Sequence, residues 1–202
     1  MVGPLGNQGI KLPVSVRHIK SNARPAMCWA IGCREATNEF VCPAADDCIF
    51  TPHFFDAAVA AMPHLGEFDM LTGRYFNNGC DQFGGMRIMS VHSMPLLPVG
   101  GVSRTASYRK LGGIDKRFHA VVWDTDLYQR HLEAGGTTTL MEGHSYHEVS
   151  DGHSMFVANH EADVSTLRSF WFTGKQPNLH RSRPVEPYTD EELLQGIENA
   201  NA

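Results

Sequence analysis

Two pairs of aspartates each lie between an apolar segment and the start of a helix. These are the positions in the sequence where a chemical site is easiest to form. Asp46 and Asp47 follow the apolar run 40–42 and precede Thr51 and Pro52, which signal a helix start. In open α/β sheets, ligands bind beyond the carboxyl ends of the strands. Carboxylates there can hold a divalent cation that in turn binds phosphates. The open alternative is a plain turn, because an aspartate side chain readily bonds the backbone two residues on.

The second pair, Asp124 and Asp126, follows the apolar run 121–123 and opens another helix. Asp126 suits the positive end of the helix dipole. Asp124 has two interpretations: a helix N-cap, or a general base whose carboxylate Trp123 partly shields from water. Shielding of this kind raises the pKa of a carboxylate and makes it a better base.

Periodicity and turn residues predict strands that alternate with helices up to about residue 140, which favours an α/β fold. A capping box, Thr189 to Glu192, opens a last helix. The expected strands are 12–17, 39–42 and 137–141. The expected helices are 26–36, one that begins at Thr51 and ends at Pro63, 103–111, 124–134 and 191–200. Residues 66–92 are expected to be strands or loops of an irregular insert, and 175–187 a linker or a surface-wrapping tail.

The composition excludes several classes of function. The 202 residues carry 17 Lys and Arg against 22 Asp and Glu, a formal charge of −5, so the basic surface that nucleic-acid binding needs is missing. Five cysteines without a Cys-x-x-Cys pair indicate reduced thiols and a cytoplasmic location rather than a disulfide framework or a zinc site. No apolar run reaches the roughly 18 residues of a membrane span.

Several motifs together resemble the second half of a family 2 type glycosyltransferase. Residues 103–115 (SRTASYRKLGGID), 123–130 (WDTDLYQR) and 134–135 (AG) have the order and spacing of the family's Leu-Gly-Gly-Phe-Asp, Glu-Asp-x-Asp-Leu and Ala-Gly motifs. Upstream, 36–41 (ATNEFV) and 51–55 (TPHFF) resemble the strand and helix that flank the family's Asp-x-Asp motif. The resemblance covers roughly residues 14–150.

This resemblance implies a GT-A-like fold, a mixed sheet flanked by helices, and inverting transfer of a sugar from a nucleotide-diphosphate sugar to a glycan or other hydroxyl acceptor. It implies that Asp47, helped by Asp46, binds Mn²⁺ or Mg²⁺, which bridges the donor diphosphate. It implies that Asp124 is the general base that takes the acceptor proton.

Two further assignments carry over with an alternative beside each. His147 matches a histidine that sometimes completes the metal shell, and a surface histidine in a His-rich loop is the alternative. Gly100 and Gly101 match a loop whose backbone lies near the donor sugar, and a plain turn is the alternative. Acceptor choice would depend on loops such as 66–98.

Three departures from the family set the competing hypotheses. Ala45 replaces the first Asp of Asp-x-Asp, Trp123 replaces the Glu before the base, and the N-terminal nucleotide-binding unit is absent or abbreviated. We therefore expect an N-terminally truncated domain at 1–174, followed by a linker and helix at 175–202.

The alternative is a non-catalytic remnant, or half of a split enzyme that forms a homo-oligomer or pairs with an N-terminal partner chain. A metal hydrolase using His144, His147, His153 and His160 is a third hypothesis, although the spacing fits no compact zinc signature.

Overall fold

The computed structural model of the chain describes residues 2–3, 17, 19–45, 48–81, 100–149 and 154–198. Within these ranges the fold is mixed α/β. Its strands are β1 (Val2–Gly3), β2 (Ile19–Lys20), β3 (Phe40–Val41), β4 (Cys48–Phe50), β5 (Met70–Asn77), β6 (Cys80–Asp81), β7 (Ser103–Arg104), β8 (Thr138–Glu148), β9 (Phe172–Thr173) and β10 (Gln176–Pro177). Its helices are α1 (Pro25–Glu35), α2 (Phe54–Ala61), α3 (Thr105–Lys110), α4 (Trp123–Glu133), α5 (Ser154–Trp171) and α6 (Asp190–Glu198).

A mixed sheet of four strands, in the order β4-β8-β5-β6, organises the molecule. Strand β8 runs parallel to β5 and antiparallel to β4. A small antiparallel pair, β3 with β7, extends the sheet, because Val102 next to β7 exchanges backbone hydrogen bonds of 3.0 and 2.8 Å with Leu71 of β5. Two further pairs, β1 with β2 and β9 with β10, lie outside this sheet. None of the helices in the described part of the chain is both long and apolar enough to cross a membrane.

Most of the helices that local sequence signals predicted are present. The expected helices near 26–36, 103–111 and 124–134 are α1, α3 and α4, shifted by one or two residues. The capping box before α6 is confirmed in both directions: the Glu192 amide donates to Thr189 Oγ1 at 3.1 Å, and the Thr189 amide donates to a Glu192 carboxylate oxygen at 2.7 Å. These signals succeed because they act within a single helical turn.

The start of α2 is a correction. Thr51 and Pro52 predicted the first turn, but the helix begins at Phe54, after His53 in a left-handed conformation with φ 61°. The Thr51 hydroxyl accepts a hydrogen bond from the Ser145 amide at 3.0 Å, so it serves the sheet rather than a helix N-terminus. The long-range hydrogen bond with Ser145 takes the place of the helix cap that the local sequence predicts at Thr51.

The central part of the sheet is the second correction. Met70–Asn77, expected within an irregular insert, is an interior strand, and β8 continues to Glu148 instead of ending at 141. Gly73 obscured the strand pattern. It is required because a Cβ there would lie 2.7 Å from the Phe54 ring and 3.0 Å from the His144 carbonyl oxygen. Helix α5 had no predicted counterpart. The strand expected at 12–17 lies outside the described residues except for Arg17.

Two apolar clusters form the core. The larger joins α1, α4, α5 and α6, and its most buried members are Ile31, Phe118, Leu127, Leu167, Phe170 and Trp171. The smaller packs α2 against the sheet and contains Phe54, Ala58, Met62, Leu71, Val102 and Met141. Helix α6 lies close to the beginning of α1: the Ser21 hydroxyl donates to the Gly196 carbonyl at 2.7 Å, and a Cβ at Gly196 would lie 2.9 Å from Met27.

A carboxylate–guanidinium cluster fastens the segment 175–187 to the core. Asp115 and Asp126 are fully buried, and Arg181 bridges them, with Nε 2.8 Å from Asp126 Oδ1 and Nη2 2.7 Å from Asp115 Oδ2. Arg130 donates to the other oxygen of Asp126 at 3.0 Å, and Arg117 binds Asp115 through two nitrogens. Burial alone would raise the pKa of Asp115, but the hydrogen bonds from Arg117 and Arg181 outweigh it and lower that pKa to about 2.

We expect Arg181→Ala to lower the free energy of unfolding by about 3–5 kcal/mol, because it removes a charge-assisted hydrogen bond, worth about 1.5–3 kcal/mol, from each of two buried carboxylates. Urea unfolding followed by circular dichroism measures the change. Arg183→Ala is the matched control, since that side chain is exposed and its loss should stay within about 0.5 kcal/mol. Equal losses in the two variants would contradict a bridging role for Arg181.

His131 should make the fold sensitive to mild acid. Its ring is fully buried, Nδ1 lies 3.1 Å from the Phe68 carbonyl oxygen, and Nε2 has no hydrogen-bond partner in the described structure. Burial lowers the pKa of His131 from 6.5 to about 4. The unfolded chain therefore takes up a proton near pH 6.5, which the folded chain accepts only near pH 4.

The free energy of unfolding should consequently fall as the pH drops from about 6.5 to about 4, and the loss should level off below that range. The expected total is on the order of 3 kcal/mol. Urea midpoints at several pH values measure it, and His131→Gln should remove most of the slope. The exposed His53, replaced by Gln, is the control that should leave the slope intact. An unchanged slope in His131→Gln would show that other groups cause the acid loss.

Candidate functional site

Asp124 lies in the first turn of α4, one residue inside the helix. The N-cap position belongs to Val122, whose backbone is left-handed with φ 50°, so the expectation that Asp124 itself is the N-cap residue is wrong. One carboxylate oxygen of Asp124 accepts a hydrogen bond from the Thr125 amide at 2.8 Å. The side chain is only half-buried, so it can still meet a ligand.

The surroundings of Asp124 favour its protonated form more than water does. Burial raises the pKa of this carboxyl above its ordinary value, and the negative charge of Glu148 raises it further, against the lowering effect of the Thr125 amide. Asp126 on the same helix has a different role, because it is fully buried and Trp171, Arg130 and Arg181 all donate to its carboxylate. Asp124 is therefore the more accessible acid of the two, and Asp126 has a structural role.

The glycine pair of the predicted donor loop lies beside the same helix. The Gly101 amide donates to the phenol oxygen of Tyr128 at 3.1 Å, and Tyr128 lies one turn after Asp124 on α4. Gly100 has φ 64°, and a Cβ there would lie 3.2 Å from the ring of Tyr146. The Gly100–Gly101 loop is thus bound to the helix that carries Asp124, through Tyr128. The left-handed conformation of Gly100 is compatible with both interpretations of this loop, a donor-binding loop and a plain turn.

One face of the sheet supplies site residues that sequence reasoning missed. The phenol of Tyr75 donates to Glu148 Oε2, and the Asn77 amide donates to the Tyr75 oxygen at 3.0 Å. On the neighbouring strand, Cys48 Sγ donates to the Tyr146 phenol at 2.6 Å. The alternation at 146 and 148 was the available signal, but β8 had been expected to end before it. The missed residues form a polar aromatic wall next to Asp124.

His147 points to the other face of β8, because side chains alternate along a strand and Glu148 faces the side of Asp124. Its ring stacks on Phe76 with centroids 4.6 Å apart and planes 4° apart, and its Nε2 lies 2.7 Å from Ser145 Oγ. The structure therefore does not bring the proposed metal ligand His147 to the same face as the proposed base.

Asp46 and Asp47, assigned to the metal and the donor diphosphate, lie outside the described residues, as does His153 of the His-rich segment. Among the residues that the structure does describe, no group of three or more His, Cys, Asp and Glu side chains is arranged to hold a metal ion. The described residues alone do not fit the Mn²⁺ or Mg²⁺ that the resemblance implies.

Comparison with known proteins adds no assignment for this site. No protein-family model matches the chain, and no curated protein matches it either.

We expect Glu148→Gln to lower the pKa of Asp124, because removal of a nearby negative charge makes the ionised form of Asp124 easier to reach. A carboxyl-carbon NMR titration with assigned aspartate signals measures the shift. Glu142→Gln is the matched control, since Glu142 is exposed on the same strand. The same Asp124 pKa in wild type and Glu148→Gln would show that Glu148 does not act on the site.

Proposed function

We propose that the chain transfers a sugar from a nucleotide-diphosphate sugar to an acceptor hydroxyl with inversion at the anomeric carbon, on a GT-A-like fold. The observation that carries this proposal is the position of Asp124. It is a half-buried carboxylate with a raised pKa, and Tyr128 on the same helix accepts a hydrogen bond from the Gly101 amide. In this proposal Asp124 is the base and the Gly100–Gly101 backbone is the part that approaches the donor.

In the proposed reaction Asp124 takes the proton of the acceptor hydroxyl, which requires an oxygen-to-oxygen distance of about 2.6–3.2 Å. The hydroxyl oxygen forms a bond to the anomeric carbon as the bond from that carbon to the diphosphate oxygen breaks. The electron pair of the broken bond leaves with the diphosphate. Attack from the face opposite the leaving group inverts the anomeric centre. The raised pKa of Asp124 helps, because proton transfer is most efficient when the pKa of the base approaches the working pH.

The donor side of the proposal depends on two parts. The Gly100–Gly101 backbone would approach the donor sugar, since a glycine without Cβ lets a ligand come close. Asp47 with Asp46 would hold the cation that neutralises the diphosphate, and both acids lie outside the described residues. Acceptor recognition falls to the wall formed by Tyr75, Asn77 and Glu148.

A second candidate function is that of half an enzyme, and the edge of β3 favours it. Within the described chain β3 pairs with β7 alone, so its outer edge presents backbone groups that another strand could bind. A separate chain carrying the missing nucleotide-binding strands would pair there. Sedimentation of the isolated chain separates the two ideas: a monomer that transfers sugar unaided rules the split form out.

We expect Asp124→Asn to bind the nucleotide-sugar donor nearly as well as wild type and to lose transfer by about 10²–10⁴-fold, the usual contribution of a general base. Calorimetry with nucleoside diphosphates and Mn²⁺, together with a sugar-transfer assay, measures both properties. Asp56→Asn is the matched control, because Asp56 occupies the first turn of α2 and is exposed. A fully active Asp124→Asn variant would remove Asp124 from the mechanism. Failure of wild type to bind any nucleoside diphosphate would remove the proposed function.

A further inference from the structure

Asp163 of α5 makes an unusual set of contacts for a buried acid. It is fully buried, and its carboxylate accepts hydrogen bonds from three consecutive backbone amides: His119 to Oδ1 at 2.9 Å, and Ala120 and Val121 to Oδ2 at 2.8 and 2.9 Å. Consecutive amides that converge in this way form a concave anion-binding surface. Here the anion is a side chain from a different helix.

These three amides immediately precede the turn that leads to Asp124. The turn passes through Val122 in its left-handed conformation and enters α4 at Trp123. Because the amides of 119–121 belong to no strand or helix, they need another acceptor when they are buried. Asp163 supplies it for all three. One carboxylate therefore binds the whole segment that leads into α4.

A second contact shows that the turn is held on both sides. The Ala26 amide at the start of α1 donates to the His119 carbonyl at 3.1 Å, and the rings of Trp29 and Trp123 lie 5.1 Å apart. Helix α1 therefore limits the turn from one side while Asp163 binds it from α5. Movement of the turn would have to carry Asp124 with it, since only Val122 and Trp123 lie between.

We propose that Asp163 is a positioning residue for Asp124: by binding the amides of 119–121 it fixes where α4 begins and which way the Asp124 carboxylate faces. The consequence for transfer rests on the proposed function, whereas the positioning itself does not. No local sequence pattern predicts this role, because Asp163 lies 42–44 residues from the amides it binds.

The chemistry of the contact makes Asp163→Asn a sharp test. Both carboxylate oxygens accept, whereas an asparagine amide has only one oxygen and a nitrogen that donates. In either orientation the new nitrogen faces at least one backbone N–H, which is also a donor. The variant keeps the size of the side chain and removes at least one of the three bonds that hold the turn.

Three measurements on the full chain test the role, and none needs an identified acceptor except the transfer assay. Asp163→Asn should speed hydrogen exchange of the amides 119–121, and should move the pKa of Asp124 toward its ordinary value as water reaches the carboxyl. It should lower kcat by about 10²-fold, the cost of a misplaced catalytic group, with the donor KM nearly unchanged. Glu161→Gln, an exposed acid on the same helix, should change none of the three.

Leu167→Ala is the control for a purely structural effect. It removes a fully buried side chain from α5 and destabilises the fold. Measured well below its unfolding transition, it should keep the pKa of Asp124 and the kcat of wild type. If Asp163→Asn does not fold, Asp163→Glu keeps the charge, lengthens the side chain and is tested by the same measurements, with smaller changes in the same direction expected.

The outcomes separate the two proposals. A wild-type chain without transfer activity would remove the proposed function, while exchange at 119–121 and the pKa of Asp124 would still decide the positioning. An Asp163 variant that is folded and has the wild-type Asp124 pKa and exchange rates would overturn the inference. Loss of kcat without a change in either would also overturn it, because Asp163 would then act by another route.

Discussion

The burial of two carboxylates with matched guanidinium partners is the constraint on which the packing of α4, the end of α5 and the segment after β10 depends. Charges cost several kcal/mol each to remove from water, and the cost is offset only when every lone pair finds a donor. Asp126 meets that condition through the Trp171 indole, Arg130 and Arg181, and Asp115 through Arg117 and Arg181. The cluster consequently ties α4, the end of α5 and the segment after β10 into one unit, because none of these parts can move without exposing an unpaired charge.

Within this unit, two acids on one turn of α4 have different environments. Asp126 is fully buried and accepts from three side chains, while the hydrogen bonds to Asp124 come only from its own residue and from Thr125, and its pKa is raised. An acid becomes chemically useful when its ionised form is left partly unsatisfied. The rigid neighbour matters for the useful one, since a base must hold its direction to within a fraction of an ångström to act on a bound hydroxyl.

What the sequence could predict follows from the range of the interactions. Helix α1, helix α4 and the capping box at Thr189 and Glu192 rest on contacts within a few residues, and they were predicted. The sequence leaves strand and loop both open for the region of β5, because the need for Gly73 is visible only beside the Phe54 ring. The partnership of Tyr75 with Glu148 depends on a parallel register between strands that only the folded chain defines.

The same rule applies to the candidate site. Asp124 and the Gly100–Gly101 loop come from motifs in a fixed order, and Tyr128, on the same helix as Asp124, accepts a hydrogen bond from the Gly101 amide. Which residues share a face of the sheet with His147 depends on β8 continuing to Glu148, which the sequence pattern does not predict. The metal role of His147 stays a prediction.

The contact between α1 and α6 has a consequence for synthesis in the cell. Ser21 and Gly196 are 175 residues apart, and the apolar face of α1 receives α6 beside Met27. During translation at about 5–20 residues per second, α1 therefore waits on the order of ten seconds or more with part of that face uncovered. Contacts of such long sequence separation form late and slowly. The nascent chain is exposed to aggregation, and to capture by chaperones, until the ribosome has made α6.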